Sequence, residues 1–60
     1  MATDYYGNYI SVGDTVTKVG SSSKFVVVAE TNGIWGNTLL TLNGNWEETG
    51  VDPENVIKTG

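Results

Sequence analysis

Cysteine, histidine and arginine are all missing from this 60-residue chain, and proline occurs once. Each absence excludes something. Without cysteine or histidine there is no disulfide and no ordinary zinc ligand set, so two common staples of small domains are gone. General acid–base and nucleophilic catalysis draw on the same side chains, or on a serine or carboxylate pair held beside a partner group. The cluster Ser21-Ser22-Ser23 sits next to Lys24 in a stretch that reads as a solvated loop. Glu47 and Glu48 are neighbours on an expected strand, so they point to opposite faces and cannot share a proton. The oxygens are not spaced as a calcium loop requires, and the glycines are scattered as turn punctuation rather than gathered into a phosphate loop. The expectation is a protein that is not an enzyme and uses no cofactor or metal.

Positive charge is also scarce. Lys18, Lys24 and Lys58 stand against seven acids, for a net charge of −4. Phosphate backbones are bound through lysine and arginine, so nucleic acid is a poor partner for this chain. Apolar runs fall well short of the roughly 20 residues that span a bilayer, and the start, Met1-Ala2-Thr3-Asp4, lacks the basic and apolar segments of a secretion signal. These features predict a soluble, cytoplasmic protein with no membrane partner. A chain of this size buries only about 60% of its unfolded surface, which leaves a thin margin of stability.

What the chain does have is β-branched residues and glycine. The longest apolar run, Phe25-Val26-Val27-Val28-Ala29, is the natural central strand. Residues 1–9 read as a polar N-terminal segment in which Tyr5, Tyr6 and Tyr9 stand out, rings suited to sealing a core end or to forming half of a binding patch. The domain proper is expected over residues 10–60. Gly13-Asp14 opens a first strand over Thr15 to Val19, and Lys24 to Thr31 is the second. Asn32-Gly33 and Asn43-Gly44 are both strong hairpin signals, placing strand three over Ile34 to Leu42 and strand four over Asn45 to Thr49, with Gly50 as a break. Asp52-Pro53-Glu54-Asn55 reads as one helical turn capped by Asp52, and Val56-Ile57-Lys58 as strand five.

Two-residue turns would fix the register. Thr31 would face Ile34, Val27 would face Thr38, Phe25 would face Leu40, and Leu42 would face Asn45. One sheet face would then collect Phe25, Val27, Ala29, Ile34, Leu40 and Leu42, and the other Val26, Val28, Trp35, Leu39 and Trp46. Both faces are apolar, unlike a sheet with one wet side. Three explanations stay open: strands that bend around a small barrel, a bulge at Gly36, or a second face that meets a partner or another copy.

The succession Val12-Gly13-Asp14-Thr15-Val16, an apolar strand, a meander with tryptophan and a closing Asp52-Pro53-Glu54-Asn55-Val56-Ile57 resembles an SH3-like small β-barrel. The likeness extends to short bacterial and phage-borne proteins of unknown function and, more distantly, to KOW-type barrels. It implies an all-β, five-stranded antiparallel barrel with one short 3-10 turn near the C-terminus. Peptide-binding members of that fold line a groove with tyrosines, a tryptophan and a Pro-x-x-Tyr, but here Pro53 is followed by Glu54-Asn55-Val56. The expected function is a non-catalytic protein–protein interaction module whose aromatic surface uses Trp35, Trp46, Tyr5, Tyr6, Leu39 and Pro53 to hold a protein or peptide. The alternatives are a self-assembling structural or accessory protein of phage type, and a nucleic-acid-associated barrel that the charge disfavours.

Overall fold

Short β-branched runs punctuated by glycine fold into strands throughout the computed structural model, which describes residues 2–59. The described strands are β1 (Ala2–Thr3), β2 (Tyr9–Ile10), β3 (Thr15–Lys18), β4 (Lys24–Asn32), β5 (Thr38–Asn43), β6 (Glu47–Val51) and β7 (Val56–Lys58), with a 3-10 turn over Pro53–Asn55 before the last. β1 and β2 form a two-stranded sheet. The other five make an antiparallel sheet in the order β6-β5-β4-β3-β7. Among the described residues no helix is long and apolar enough to cross a membrane. Met1 and Gly60, the outer ends of the two expected segments, lie outside the described residues.

The core draws on every strand. Val16 comes from β3, Phe25 and Val27 from β4, Leu40 and Leu42 from β5, Val51 from β6 and Val56 from β7, with Ala2 and Ile10 of the small sheet packed over them. Burial alternates along β4, with Phe25 and Val27 inside and Val26 and Val28 outside. That is the period-2 pattern of a sheet with one dry side. The expected turn at the end of the chain is present as drawn: Asp52 Oδ1 accepts a hydrogen bond from the Glu54 N–H at 3.0 Å, and Pro53 occupies the first turn.

Residues 1–9 differ from the polar, strandless reading. Thr3 pairs with Tyr9 and Ala2 with Ile10, closing a loop around Asp4. Asp4 is buried, 3% exposed, and its carboxylate binds both its own loop and the far end of the chain. The Tyr5 N–H donates to the Val56 carbonyl at 2.8 Å, so this segment covers the outer edge of β7. Tyr5, Tyr6 and Tyr9 are all exposed, and none of the three seals the core.

The expected register is overturned at both hairpins. Val27 faces Leu42, Ala29 faces Thr41, Thr31 faces Leu39 and Asn32 faces Thr38. A two-residue type I′ turn needs positive φ at both central residues, and no non-glycine residue among those described has one. Gly36 takes φ +80° instead. The Gly36 N–H donates to the Gly33 carbonyl at 3.0 Å and the Gly33 N–H to the Asn37 carbonyl at 2.7 Å, which is a tight turn closed by a left-handed glycine. Strand three therefore begins at Thr38 rather than Ile34. The bulge falls between Val27 and Ala29, not at Gly36. In the second hairpin Asn43 faces Glu47 and Leu42 faces Glu48, with Gly44, Asn45 and Trp46 forming the loop. Gly50 lies inside β6 with φ +66°, where the register shifts, and the strand continues to Val51.

Candidate functional site

β4 is nine residues long and β3 only four. β3 covers Lys24, Phe25 and Val26, and the Gly13–Asp14 backbone covers Val27. Beyond that point β4 has β5 on one side and, among the described residues, no strand on the other. The distal part of the β4–β5 hairpin is thus a ribbon reaching past the core, and its tip is Gly33-Ile34-Trp35-Gly36. Ile34 is 94% exposed and Trp35 90%. The tip is tightly built. Besides its two backbone hydrogen bonds, the space where a Gly33 Cβ would stand is filled by the Asn37 side chain, 2.5 Å away. Two large apolar side chains are therefore held in water on a turn whose backbone is fixed. Two adjacent large apolar side chains exposed together make this tip the candidate contact surface of the chain.

The two tryptophans do not share a surface. Trp35 precedes β5 and Trp46 follows it, so they stand at opposite ends of a strand about 20 Å long. Trp46 leans on the core. Its ring meets Phe25 edge-to-face at 5.1 Å, and its indole N–H donates to Glu48 Oε1 at 3.0 Å. Glu48 Oε2 in turn pairs with Lys18 Nζ at 2.6 Å. Leu42 faces Glu48 across the ladder, so the carboxylate lies on the side of the sheet that carries the core. Trp46, Glu48 and Lys18 together close that end of the domain. The Lys18 ammonium first, and the indole N–H second, hold the Glu48 carboxyl below the usual glutamate range.

The remaining expected contact residues are dispersed. Leu39 is half-buried on the ribbon, opposite Thr31. Tyr5 and Tyr6 are exposed and pack edge-to-face on each other at 5.1 Å. Pro53 is buried and offers no wall to a groove. Ile34, expected in the core, is the most exposed large apolar side chain among the described residues. The pattern Gly33-Ile34-Trp35-Gly36 was the signal for this, since two glycines bracketing two residues suit a hairpin tip better than a strand.

A second ion pair, at the other end of β3, is committed to structure. Lys58 Nζ lies 3.4 Å from Asp14 Oδ2 and 3.4 Å from the Tyr9 carbonyl. The Ser11 N–H is the main influence lowering the Asp14 pKa, partial burial opposes it, and Lys58 reinforces it. A shallow depression bounded by Asn8, Tyr9, Lys58 and Thr59 adjoins this pair, with the Lys58 ammonium already turned to its partners.

The two tryptophans should differ in what their truncation costs. Trp46→Ala should cost about 2 kcal/mol, the sum of half a buried ring and its edge contact with Phe25. Trp46→Phe keeps the edge contact and should cost less than about 1 kcal/mol. Urea unfolding of both variants decides this, and an unchanged midpoint for Trp46→Ala would show that Trp46 does not support the core. No protein-family model, curated protein or solved structure matches this chain.

Proposed function

We propose that this chain is a small non-catalytic interaction module of SH3-like barrel type, whose contact element is the overhanging β4–β5 hairpin. The architecture is supported by the five-stranded antiparallel sheet and by the 3-10 turn leading into β7, two features that the sequence resemblance implies. The observation that carries the function is the near-complete exposure of Ile34 and Trp35 on a turn braced by two backbone hydrogen bonds. A domain with so little apolar material to spare gains nothing for its own stability from this placement. The partner is a protein. Lys18 and Lys58 are already paired with Glu48 and Asp14, which leaves Lys24 as the one cation without a carboxylate among the described residues.

Trp35→Ser tests the reading. Its stability should stay within about 0.5 kcal/mol of the parent, as for a surface change away from packing, while any association made through the hairpin weakens. A loss above about 2 kcal/mol in urea unfolding would make Trp35 a packing residue and remove the basis for the proposal.

A further inference from the structure

The ribbon has an edge as well as a tip. Because Gly33 and Asn37 are hydrogen-bonded to each other, the antiparallel alternation makes Thr31 and Leu39 the next bonded pair. The backbone N–H and C=O of Glu30 and Asn32 then point the other way, to the side where β3 has already ended. Backbone groups left open on a strand edge are a template for a further strand.

Resting on the hairpin as the contact element, we propose that the occupant of this edge is a second copy of the same chain, with the two β4 strands running antiparallel about a two-fold axis at Thr31. The edge is complementary to itself in that register. Glu30 of one copy faces Asn32 of the other, and the reverse, so each carboxylate meets an amide and not its own like charge. The same register carries the Ile34–Trp35 tip of one copy over the opposite end of the ribbon in the other. There Val28 is 43% exposed, and Val12, in the turn whose Gly13 N–H donates to Val27, is 56% exposed. Each copy thus supplies one exposed apolar tip and one exposed apolar base, and the two-fold joins tip to base twice.

Sedimentation equilibrium over a range of concentrations in about 0.15 M salt, where repulsion between two acidic copies is screened, tests the pairing. The mass is expected to rise toward twice the 6.4 kDa of the chain, with amide exchange at Glu30 and Asn32 slowing in parallel. Asn32→Glu sets carboxylate against carboxylate at both ends of the axis and should abolish the doubling, and Glu30→Lys added to it should restore the doubling. A mass that stays at one chain at every concentration overturns the pairing, as does undiminished doubling in Asn32→Glu. Trp35 emission, read in a Trp46→Phe background, then separates the two levels of inference. A solvent-exposed spectrum in a monomer leaves the edge and tip for a foreign extended segment. A buried, quencher-protected Trp35 in a monomer overturns the hairpin as a contact element altogether.

Discussion

Asp4→Ala is expected to remove about 3 kcal/mol of stability, most of the roughly 3–5 kcal/mol that a core of this size supplies. The reason is the position of one carboxylate. Asp4 Oδ1 accepts from the N–H groups of Tyr6 and Asn8 at 2.9 and 2.8 Å, while Oδ2 accepts from the Lys58 N–H at 2.8 Å. Those bonds hold the loop between β1 and β2 in shape and fasten it to β7 at the other end of the chain. Truncation to alanine leaves three backbone donors without an acceptor. Asp4→Asn should cost about half as much, since its oxygen can keep the two loop bonds while its amide turns a donor toward Lys58. Burial by itself raises the Asp4 pKa, but the N–H groups of Lys58, Asn8 and Tyr6 together outweigh it and hold the carboxyl below the usual aspartate range. A carboxyl with a lowered native pKa adds stability that is complete above the unfolded value near pH 4 and is lost as the pH falls through the native one. The gap between the parent and Asp4→Asn should therefore be widest near neutrality and close below about pH 4. Urea unfolding at pH 7, 5 and 3 reads both effects. A pH-independent gap, or an Asp4→Ala variant as stable as the parent, would remove Asp4 from its place as the clasp.

Very little of that clasp was legible in the sequence. An aspartate in a polar N-terminal stretch has no local mark of burial, and the donor that matters most in tying it down is 54 residues away. The elements that were legible carry their causes within a few positions. β3 follows its Gly13-Asp14 turn, and Asp52-Pro53 caps and starts the 3-10 turn before β7. Four of the six residues of the first expected face are also in the core, because Phe25, Val27, Leu40 and Leu42 share an alternation that survives a change of register. What failed was pairing. The Asn32-Gly33 dipeptide is a strong signal taken alone, but the chain contains a second solution three residues on, with Gly36 left-handed and Asn37 closing the turn. Hydrophobic alternation could not arbitrate, because both faces of the run are apolar. The excess of apolar residues on the second face was legible, and its division between a distal tip at Trp35 and a core-side lid at Trp46 followed only from the turn geometry.

Gly44 carries the second large effect and bears directly on that geometry. In a type I′ turn Gly44 would be required for its positive φ, and asparagine would be a tolerable substitute. Here Gly44 is not among the glycines with positive φ. It is required for space. A Cβ added there would stand 2.7 Å from the Lys24 carbonyl oxygen and 2.9 Å from Phe25 Cδ2. The first of these is backbone at the start of β4, paired with Thr17, and cannot swing aside as a side chain can. Gly44→Ala and Gly44→Asn should both cost about 2 kcal/mol or more, at the upper part of the range for forced overpacking. Gly36 provides the contrast, because it has φ +80° and no heavy atom within 4 Å of an added Cβ. Gly36→Asn should cost only about 1 kcal/mol, since asparagine is the residue after glycine that best accepts the left-handed region. Thermal and urea unfolding of the three variants tests the hairpins together. If Gly44→Asn were tolerated, Asn43-Gly44 would be a two-residue turn and Trp46 would leave Phe25 for the outer face. If Gly36→Asn were as damaging as a core substitution, Gly36 would belong to a strand and Trp35 with it, and the overhanging tip on which the contact surface depends would no longer exist.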